Sequence, residues 1–480
     1  MTWEAVIGIE THVELLTRSK MFCGCPADFG AEPNTNVCPV CLGLPGALPV
    51  PNAAAIEWTA SLGLALECEI SPRSVFHRKN YFYADLPKNY QISQFDLPLC
   101  IGGRLEVDGG SGPRVIGITR VHLEEDTGKS THTGAGGRIH DAEGALIDFN
   151  RAGIPLVEVV TEPDLRTPEE ARAYGQALRA IVLALGISDA RLEEGSMRFD
   201  ANVSLRRPGA DTLGVKVEVK NMNSLRSLQR ALAHEIARQT ALLDAGEVVA
   251  QETRHWDEEA GRTSSGRSKE ESSDYRYFQE PDLVPIEIDA SEVARLRHAL
   301  PELPGDQQGR LVEAGVDEIA ARTIVAGGLV GLLDAAVTAG ASARGAANWL
   351  AGEVTAHLNR TGEDPSTLPL DGSGLAELVA MVEGGELSAT AAKEVLSGVL
   401  AGEGGPRSVA ADRDLLQVSD EVSLAAIVAE ILADHPDEAA RLAAGEERLV
   451  GFLVGQAMRR SGGRADPKVV DRLIREKTGR

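Results

Sequence analysis

Three segments of this chain alternate apolar and polar residues so regularly that each reads as a β-strand with one face in a core. Side chains alternate across a strand, so residues two apart share a face. In Val6–Leu15, Ile7, Ile9, Val13 and Leu15 form an apolar face, while Glu10, His12 and Glu14 line the other. In Met197–Arg206, Phe199, Ala201, Val203 and Leu205 oppose Arg198, Asp200, Asn202, Ser204 and Arg206. In Gly214–Lys220, Val215, Val217 and Val219 oppose Lys216, Glu218 and Lys220. A fourth segment, Ile154–Val160, is apolar except for Glu158, a carboxylate that is expensive to bury unless something neutralises it. Alternation alone is what an antiparallel sheet with one wet face displays. The Glu10/His12 pair and the lone Glu158 go further, because carboxylates with one imidazole are ligands for hard divalent ions, including the Mg²⁺ of phosphoryl transfer.

The chain has 480 residues, enough for two or three domains. Residues 1–290 read as strand-rich with a few helices. One helix has a clear start at Thr167-Pro168-Glu169-Glu170 and a stop at Gly186. Another spans about Leu225 to Leu243, and 261–282 is polar enough for a surface loop. From Ser291 the spacing turns helical. Gly402-Glu403-Gly404-Gly405-Pro406 reads as a hinge, which divides a helical connector (291–405) from a compact helical tail (406–480). The expected class is α+β. A net charge of −24 argues against broad nonspecific nucleic-acid binding, although 451–480 carries eight Lys/Arg against Asp466, Asp471 and Glu476. That tail is either a local polyanion contact or a solvated helix face. Met1-Thr2-Trp3-Glu4 shows no signal peptide. The longest uncharged run, Pro33–Ile56, contains five prolines and is no membrane helix. A cytoplasmic protein without membrane contact is expected.

Four of six cysteines, Cys23, Cys25, Cys38 and Cys41, fall within residues 22–42. C-x-C and C-x-x-C knuckles can set four thiolates at the corners of a tetrahedron, as a structural zinc requires. Two disulfides are the alternative, but they suit small secreted domains. A four-thiolate site leaves no open position for chemistry, so catalysis is expected elsewhere. Arg78-Lys79-Asn80-Tyr81-Phe82-Tyr83 and Lys88-Asn89-Tyr90 put cations beside aromatics, a pairing usable for phosphate or a nucleotide base. Gly128-Lys129-Ser130 ends like a P-loop, but Leu123 stands where its first glycine belongs. There is no G-x-S-x-G elbow and no zinc-protease pattern.

Four stretches together carry a family resemblance: Gly8-Ile9-Glu10-Thr11-His12-Val13-Glu14-Leu15; Arg78 to Tyr83 with Asp85-Leu86-Pro87-Lys88; His122-Leu123-Glu124-Glu125-Asp126-Thr127-Gly128-Lys129; and Asp274-Tyr275-Arg276-Tyr277-Phe278. In this order they resemble the GatB/GatE subunit family of the bacterial aspartyl/glutamyl-tRNA(Asn/Gln) amidotransferases. The resemblance implies a cradle-like catalytic domain, a helical domain and a tail touching tRNA, with Arg459, Arg460, Arg464 and Lys468 as candidate contacts. It implies that ATP phosphorylates the side-chain carboxylate of Glu on tRNA(Gln) or Asp on tRNA(Asn), and that ammonia then displaces phosphate. The ammonia would come from a partner amidase subunit, with a small third polypeptide bracing the pair.

By resemblance, one Mg²⁺ falls to His12, Glu125 and Glu158, and a second position to Glu10, Asp200 and Glu218. Lys79 and Lys88 become the candidates for phosphate or substrate contacts, and Glu10, His12 and Glu125 are the other expected catalytic residues. Strict alternation from Ile116 puts Glu124 on the face with Arg120 and His122. The family pattern points to Glu125, which needs a bulge or an early strand end, and Glu125 is the expectation taken here. Thr11, Glu14, Ala84, Asn89, Phe199 and Gly266 depart from the usual family residues. A non-catalytic tRNA-binding scaffold with a relic metal site is the competing reading, and a tRNA-independent phosphotransferase a third.

Overall fold

The computed structural model describes residues 3–110, 112–133, 144–266, 275–361, 363, 365–417, 421–461 and 465–479. Arg464 and the Asp274 of the fourth motif lie outside them. The chain forms two compact units, Met1–Pro304 and Gly305–Arg480.

The first unit is organised by a nine-stranded sheet. Its strands in chain order are β1 (Glu4–Glu14), β2 (Glu69–Ile70), β3 (Cys100–Asp108), β4 (Pro113–Glu125), β5 (Pro155–Thr161), β6 (Met197–Arg206), β7 (Val217–Met222), β8 (Thr253–Asp257) and β9 (Arg262–Ser265). The spatial order is β9-β8-β7-β6-β1-β5-β4-β3-β2. All neighbours are antiparallel except β7 and β8, which run parallel. Parallel strands need a crossover, and the helix Leu225–Asp244 between them supplies it.

The apolar faces predicted from alternation are the buried ones: Ile7, Ile9 and Val13 of β1, and Phe199, Ala201 and Val203 of β6, are at most 1% exposed. The helices Pro168–Ala184 and Leu225–Asp244 cover this side, bringing Tyr174, Leu178, Leu228 and Leu232 into the same core. Thr167 caps the first of them by accepting a hydrogen bond from Glu170 N. A Cβ on Gly175 would sit 2.5 Å from Leu225 and 3.1 Å from Phe199, so only glycine lets that helix approach the sheet so closely. Thr11, an unusual residue for the family, is buried with its hydroxyl 3.3 Å from that of Tyr174. The seventh strand begins at Val217, later than expected; Val215 is 43% exposed and Lys216 lies outside it. The segment 261–282 is not simply a loop, since it contains β9 and the short strand Phe278–Gln279.

Residues beyond Gly305 are helical, as expected from their spacing. Two apolar clusters form there, one from Leu311 to Ala410 and one from Leu424 to Ile474. They displace both expected boundaries. The helix Ala290–Ala299 buries Leu296 in the first unit's core, so the change comes near 304 rather than 290. The glycine-rich run ending at Pro406 is a helix start: Gly405 occupies the N-cap and Pro406 the first turn of Pro406–Asp412. Val409 and Ala410 of that helix belong to the earlier cluster. Among the described residues, no single helix is long and apolar enough to cross a membrane.

Candidate active site

The sheet register decides which charged residues meet. His12 of β1 stands opposite Glu158 of β5, and Glu158 opposite His122 of β4. His12 Nε2 lies 3.6 Å from a Glu158 oxygen and 3.8 Å from a Glu124 oxygen. His122 Nε2 lies 3.3 Å from the same Glu158 oxygen. One ligand atom from each of His12, Glu124 and Glu158 falls within 4.8 Å of the other two. Burial works to raise the Glu158 carboxyl, but His122 and His12 overcome it and hold it well below its usual range. Burial likewise disfavours the His12 imidazolium, yet Glu158 and then Glu124 push it up to about 9. This answers the problem posed by a Glu on an apolar strand: two imidazoles flank it.

Glu125 does not join this group, and the expectation that named it is corrected. Pairing between β4 and β5 runs without a break through Glu124 and Glu125; the irregularity falls at Val160/Thr161 instead. Strict alternation therefore holds where a bulge was expected, and Glu124 shares the face of His122. Glu125 turns to the other side of the strand, where it accepts hydrogen bonds from Lys88 Nζ and, at 2.9 Å, from Ile92 N. Both members of the Lys88–Glu125 pair are buried. They line a cavity of ≈ 100 Å³ together with Lys20, Cys23, Cys41 and Gly153.

The second expected group is brought together, but around a cation. Glu10 stands opposite Asp200, and Asn202 opposite Glu218. Lys220 Nζ lies 2.5 Å from Asp200 and 3.7 Å from Glu218. Asn202 donates to Glu10 at 3.1 Å and Thr253 to Glu218 at 2.7 Å. Burial raises the Glu10 carboxyl, and the charges of Glu158 and Asp200 add to it. Burial opposes the Lys220 ammonium, but Asp200 and Glu218 hold it above its ordinary value.

One row beyond His12, Glu14 meets Asp126, which Arg198 holds at 2.5 Å and Thr127 N at 2.8 Å. Lys79 extends from the short strand His77–Asn80, its Nζ 5.1 Å from the Tyr275 ring centre and 5.8 Å from that of Tyr81. Burial opposes its charge, and Tyr277, Glu124, Tyr81 and Glu158 more than restore it. Sequence reasoning missed His122, Lys220, Asp126 and Arg198 as site residues. Lys220 and Arg198 were legible on the polar faces, and Glu124 was set aside in favour of its neighbour.

The four clustered cysteines are free thiols with sulfurs mutually within 4.8 Å, so neither disulfide is formed. Zinc–sulfur bonds of about 2.3 Å place sulfurs roughly 3.8 Å apart in a tetrahedron, and the Cys38 and Cys41 sulfurs are 3.9 Å apart. The donor set fits a structural zinc. A hydrogen bond from Cys23 draws the Cys41 thiol down to about 5, against the pull of burial. In the tail, Arg460 is occupied by Asp434 at 2.7 Å and Glu430 at 3.4 Å. Arg459 and Lys468 are exposed and have no acidic partner among the described residues.

The fold and site define a class: a mixed α+β protein whose large sheet buries one face under helices and gathers carboxylates, imidazoles and lysines on the other. Residues 5–294 match the GatB/GatE catalytic domain, and residues 331–478 match the GatB domain. The chain belongs to the GatB/GatE family. It is 52% identical over 484 residues to the GatB-type subunit of the aspartyl/glutamyl-tRNA(Asn/Gln) amidotransferase of Frankia casuarinae, covering 99% of this chain and 96% of the relative. The subunit of the same name from Salinispora arenicola is 51% identical (99% and 97% covered), and that from Thermosynechococcus vestitus 49% (99% and 97%).

Proposed function

We propose that this chain is the synthetase subunit of a glutamine-dependent tRNA amidotransferase. It would phosphorylate the side-chain carboxylate of Glu-tRNA(Gln), Asp-tRNA(Asn) or both with ATP, then exchange phosphate for ammonia. A carboxylate is a poor electrophile, and conversion to an acyl phosphate gives it a leaving group. The observation that carries the reading is half identity, over 99% of this chain, to subunits of that name.

The polar face suits this chemistry. His12, Glu124 and Glu158 fit a divalent cation, which when bound would draw charge from the phosphates of ATP. His122 orients the Glu158 carboxylate. Lys79, with no carboxylate within ion-pair distance among the described residues, offers its ammonium to an anionic phosphate or substrate carboxylate. Glu10, Asp200 and Glu218 surround Lys220, so a second cation there would have to displace an ammonium. Lys88 is neutralised by Glu125 and reaches substrate only if that pair opens. The cysteine knuckle holds zinc as a staple, and Arg459 and Lys468 in the tail are free to meet tRNA phosphates. Partners are an amidase subunit supplying ammonia and a small bracing subunit, in the cytoplasm.

The test is co-expression with candidate amidase and small subunits, then assay of mischarged Glu-tRNA(Gln) and Asp-tRNA(Asn) with ATP, Mg²⁺ and ammonium. ATP-dependent amide formation is expected. An assembled complex that amidates neither tRNA leaves a tRNA-binding scaffold as the better reading.

A further inference from the structure

The knuckle of Cys23, Cys25, Cys38 and Cys41 is more open than a staple requires. Cys23, Cys25 and Cys38 are half-buried, and Cys41 alone of the four is buried. The Cys38 and Cys41 sulfurs, 3.9 Å apart, need to close by only about 2 Å to form a disulfide. The other two cysteines, Cys68 and Cys100, are at most 4% exposed and belong to the core.

Beside the knuckle stands a charge that no carboxylate answers. Lys20 is 1% exposed. Its Nζ donates to the Phe149 carbonyl at 3.1 Å and has no carboxylate within ion-pair distance among the described residues. A buried ammonium is costly unless a negative charge compensates it. Four thiolates around one Zn²⁺ leave two net negative charges. Lys20 is tied to that cluster twice: its backbone N–H donates to the Cys25 carbonyl at 3.0 Å, and its side chain lines the cavity beside Cys23 and Cys41. The thiolates are thus the countercharge of Lys20.

The same cavity holds the Lys88–Glu125 pair. Three of its walls converge on Gly153, where an added Cβ would lie 3.4 Å from Lys20 Cδ, 3.7 Å from Cys41 Cβ and 3.8 Å from a Glu125 oxygen. From Cδ the ammonium has two bonds of reach, enough to turn from the sulfurs toward that oxygen. The knuckle also presses on Lys88 directly, because a Cβ on Gly43 would sit 2.5 Å from Lys88 Cγ.

We propose that the knuckle is a site of reversible thiol oxidation by hydrogen peroxide, and that Lys20 transmits its charge state to the Lys88–Glu125 pair. The Cys38 thiolate attacks a peroxide oxygen and becomes a sulfenic acid; the O–O bond breaks, and the departing hydroxide takes a proton from solvent. The Cys41 thiolate then attacks the Cys38 sulfur, forming the S–S bond and expelling a second hydroxide, which is protonated in turn. Two electrons pass from the sulfurs to the peroxide, which ends as two waters. With two of its four ligands gone, Zn²⁺ leaves, and Cys23 and Cys25 take up protons. Lys20 has then lost its countercharge and competes with Lys88 for Glu125. A thiol reductant and Zn²⁺ restore the starting state. This chemistry stands apart from the amidotransferase reading.

The full-length, zinc-loaded chain is titrated with hydrogen peroxide beside a metallochromic dye, and mass spectrometry after alkylation maps the thiols. Release of the zinc is expected, with a Cys38–Cys41 disulfide, reduced Cys68 and Cys100, and rebinding of zinc after dithiothreitol. Zinc that stays bound at peroxide concentrations that oxidise free glutathione, or zinc that is lost without recovery, overturns the oxidation site. Melting temperatures of the reduced and oxidised forms test the link. Oxidation should lower that of the parent by about 5 °C more than that of Lys20→Met, whose neutral side chain makes no claim on Glu125. Equal falls overturn transmission through Lys20. Lys20→Gln, which keeps a donor for the Phe149 carbonyl, takes the place of Lys20→Met if the latter does not fold.

Discussion

The carboxylates around Glu158 and those around Asp200 lie on one face of one sheet, yet they are neutralised differently. Glu158 is flanked by two imidazoles, groups that can give up a proton and become neutral ligands. Asp200 and Glu218 are tied to Lys220, whose ammonium has no such option near neutral pH. The first arrangement can exchange a proton for a metal ion with little movement. The second is complete without one, so the two halves of the face are unequal hosts for a cation. The Lys88–Glu125 pair, buried on the other side of the same strand as Glu124, is a third case: each charge is satisfied by the other.

The largest expected effect comes from breaking the first cluster. Glu158→Gln should lower ATP-dependent amide formation by about 10²–10³-fold, since it removes a ligand and the group that fixes His12. Assembly with the partner subunits, followed by gel filtration, should be unchanged. Near-parental turnover would remove Glu158 from the site.

The adjacent glutamates sharpen the contrast. Glu124→Gln should lower activity by about 10²-fold with little change in thermal stability, because it removes a ligand but relieves repulsion with Glu158. Glu125→Gln leaves the buried Lys88 uncompensated, which for a buried pair costs about 3 kcal/mol, and should lower the melting temperature of the complex. If Glu125→Gln melts like the parent and Glu124→Gln retains activity, the assignment of the two residues is reversed.

What the sequence made legible, and what it did not, follows from the same residues. Alternation placed Ile7, Phe199 and Val203 in the core and Glu10, His12 and Asp200 opposite, because a strand's period is a local property. It also placed Glu124 correctly, and was overruled by resemblance. The pairing of His12 with Glu158 was not legible, since it needs β1 beside β5, strands that are neighbours in the sheet but far apart in the chain. Lys220 is a different case: its charge was visible, but its meeting with Asp200 depends on the β6–β7 register, which shifts between Phe199 and Ala201. Helical spacing marks where helices begin and does not say which core they join: the helix that starts at Ala290 buries Leu296 in the first core.

A smaller effect tests the second cluster. Lys220→Met frees Asp200 and Glu218 from their cation, and because the lysine side chain is 36% exposed, solvent screening limits the loss to about 1–2 kcal/mol. Thermal unfolding with and without Mg²⁺ should show a destabilised variant that divalent ion partly restores. Equal melting of the variant in both conditions would show that these carboxylates are no cation site even when emptied of lysine.

The smallest effect lies one row away, at Glu14. Burial and then Asp126 push its carboxyl up to about 8 from an ordinary 4.5, outweighing the opposing pull of Arg198. A carboxyl whose value is higher folded than unfolded keeps its proton longer in the native state, so its ionisation removes stability. That loss begins as pH rises above about 4.5 and is complete by about 8. Family members usually carry glutamine here, which cannot ionise. Glu14→Gln should therefore leave stability near pH 4.5 unchanged and raise it by on the order of 1 kcal/mol at pH 8, flattening the profile of chemical denaturation midpoints against pH. A variant profile parallel to the parent's would mean that Glu14 ionises freely.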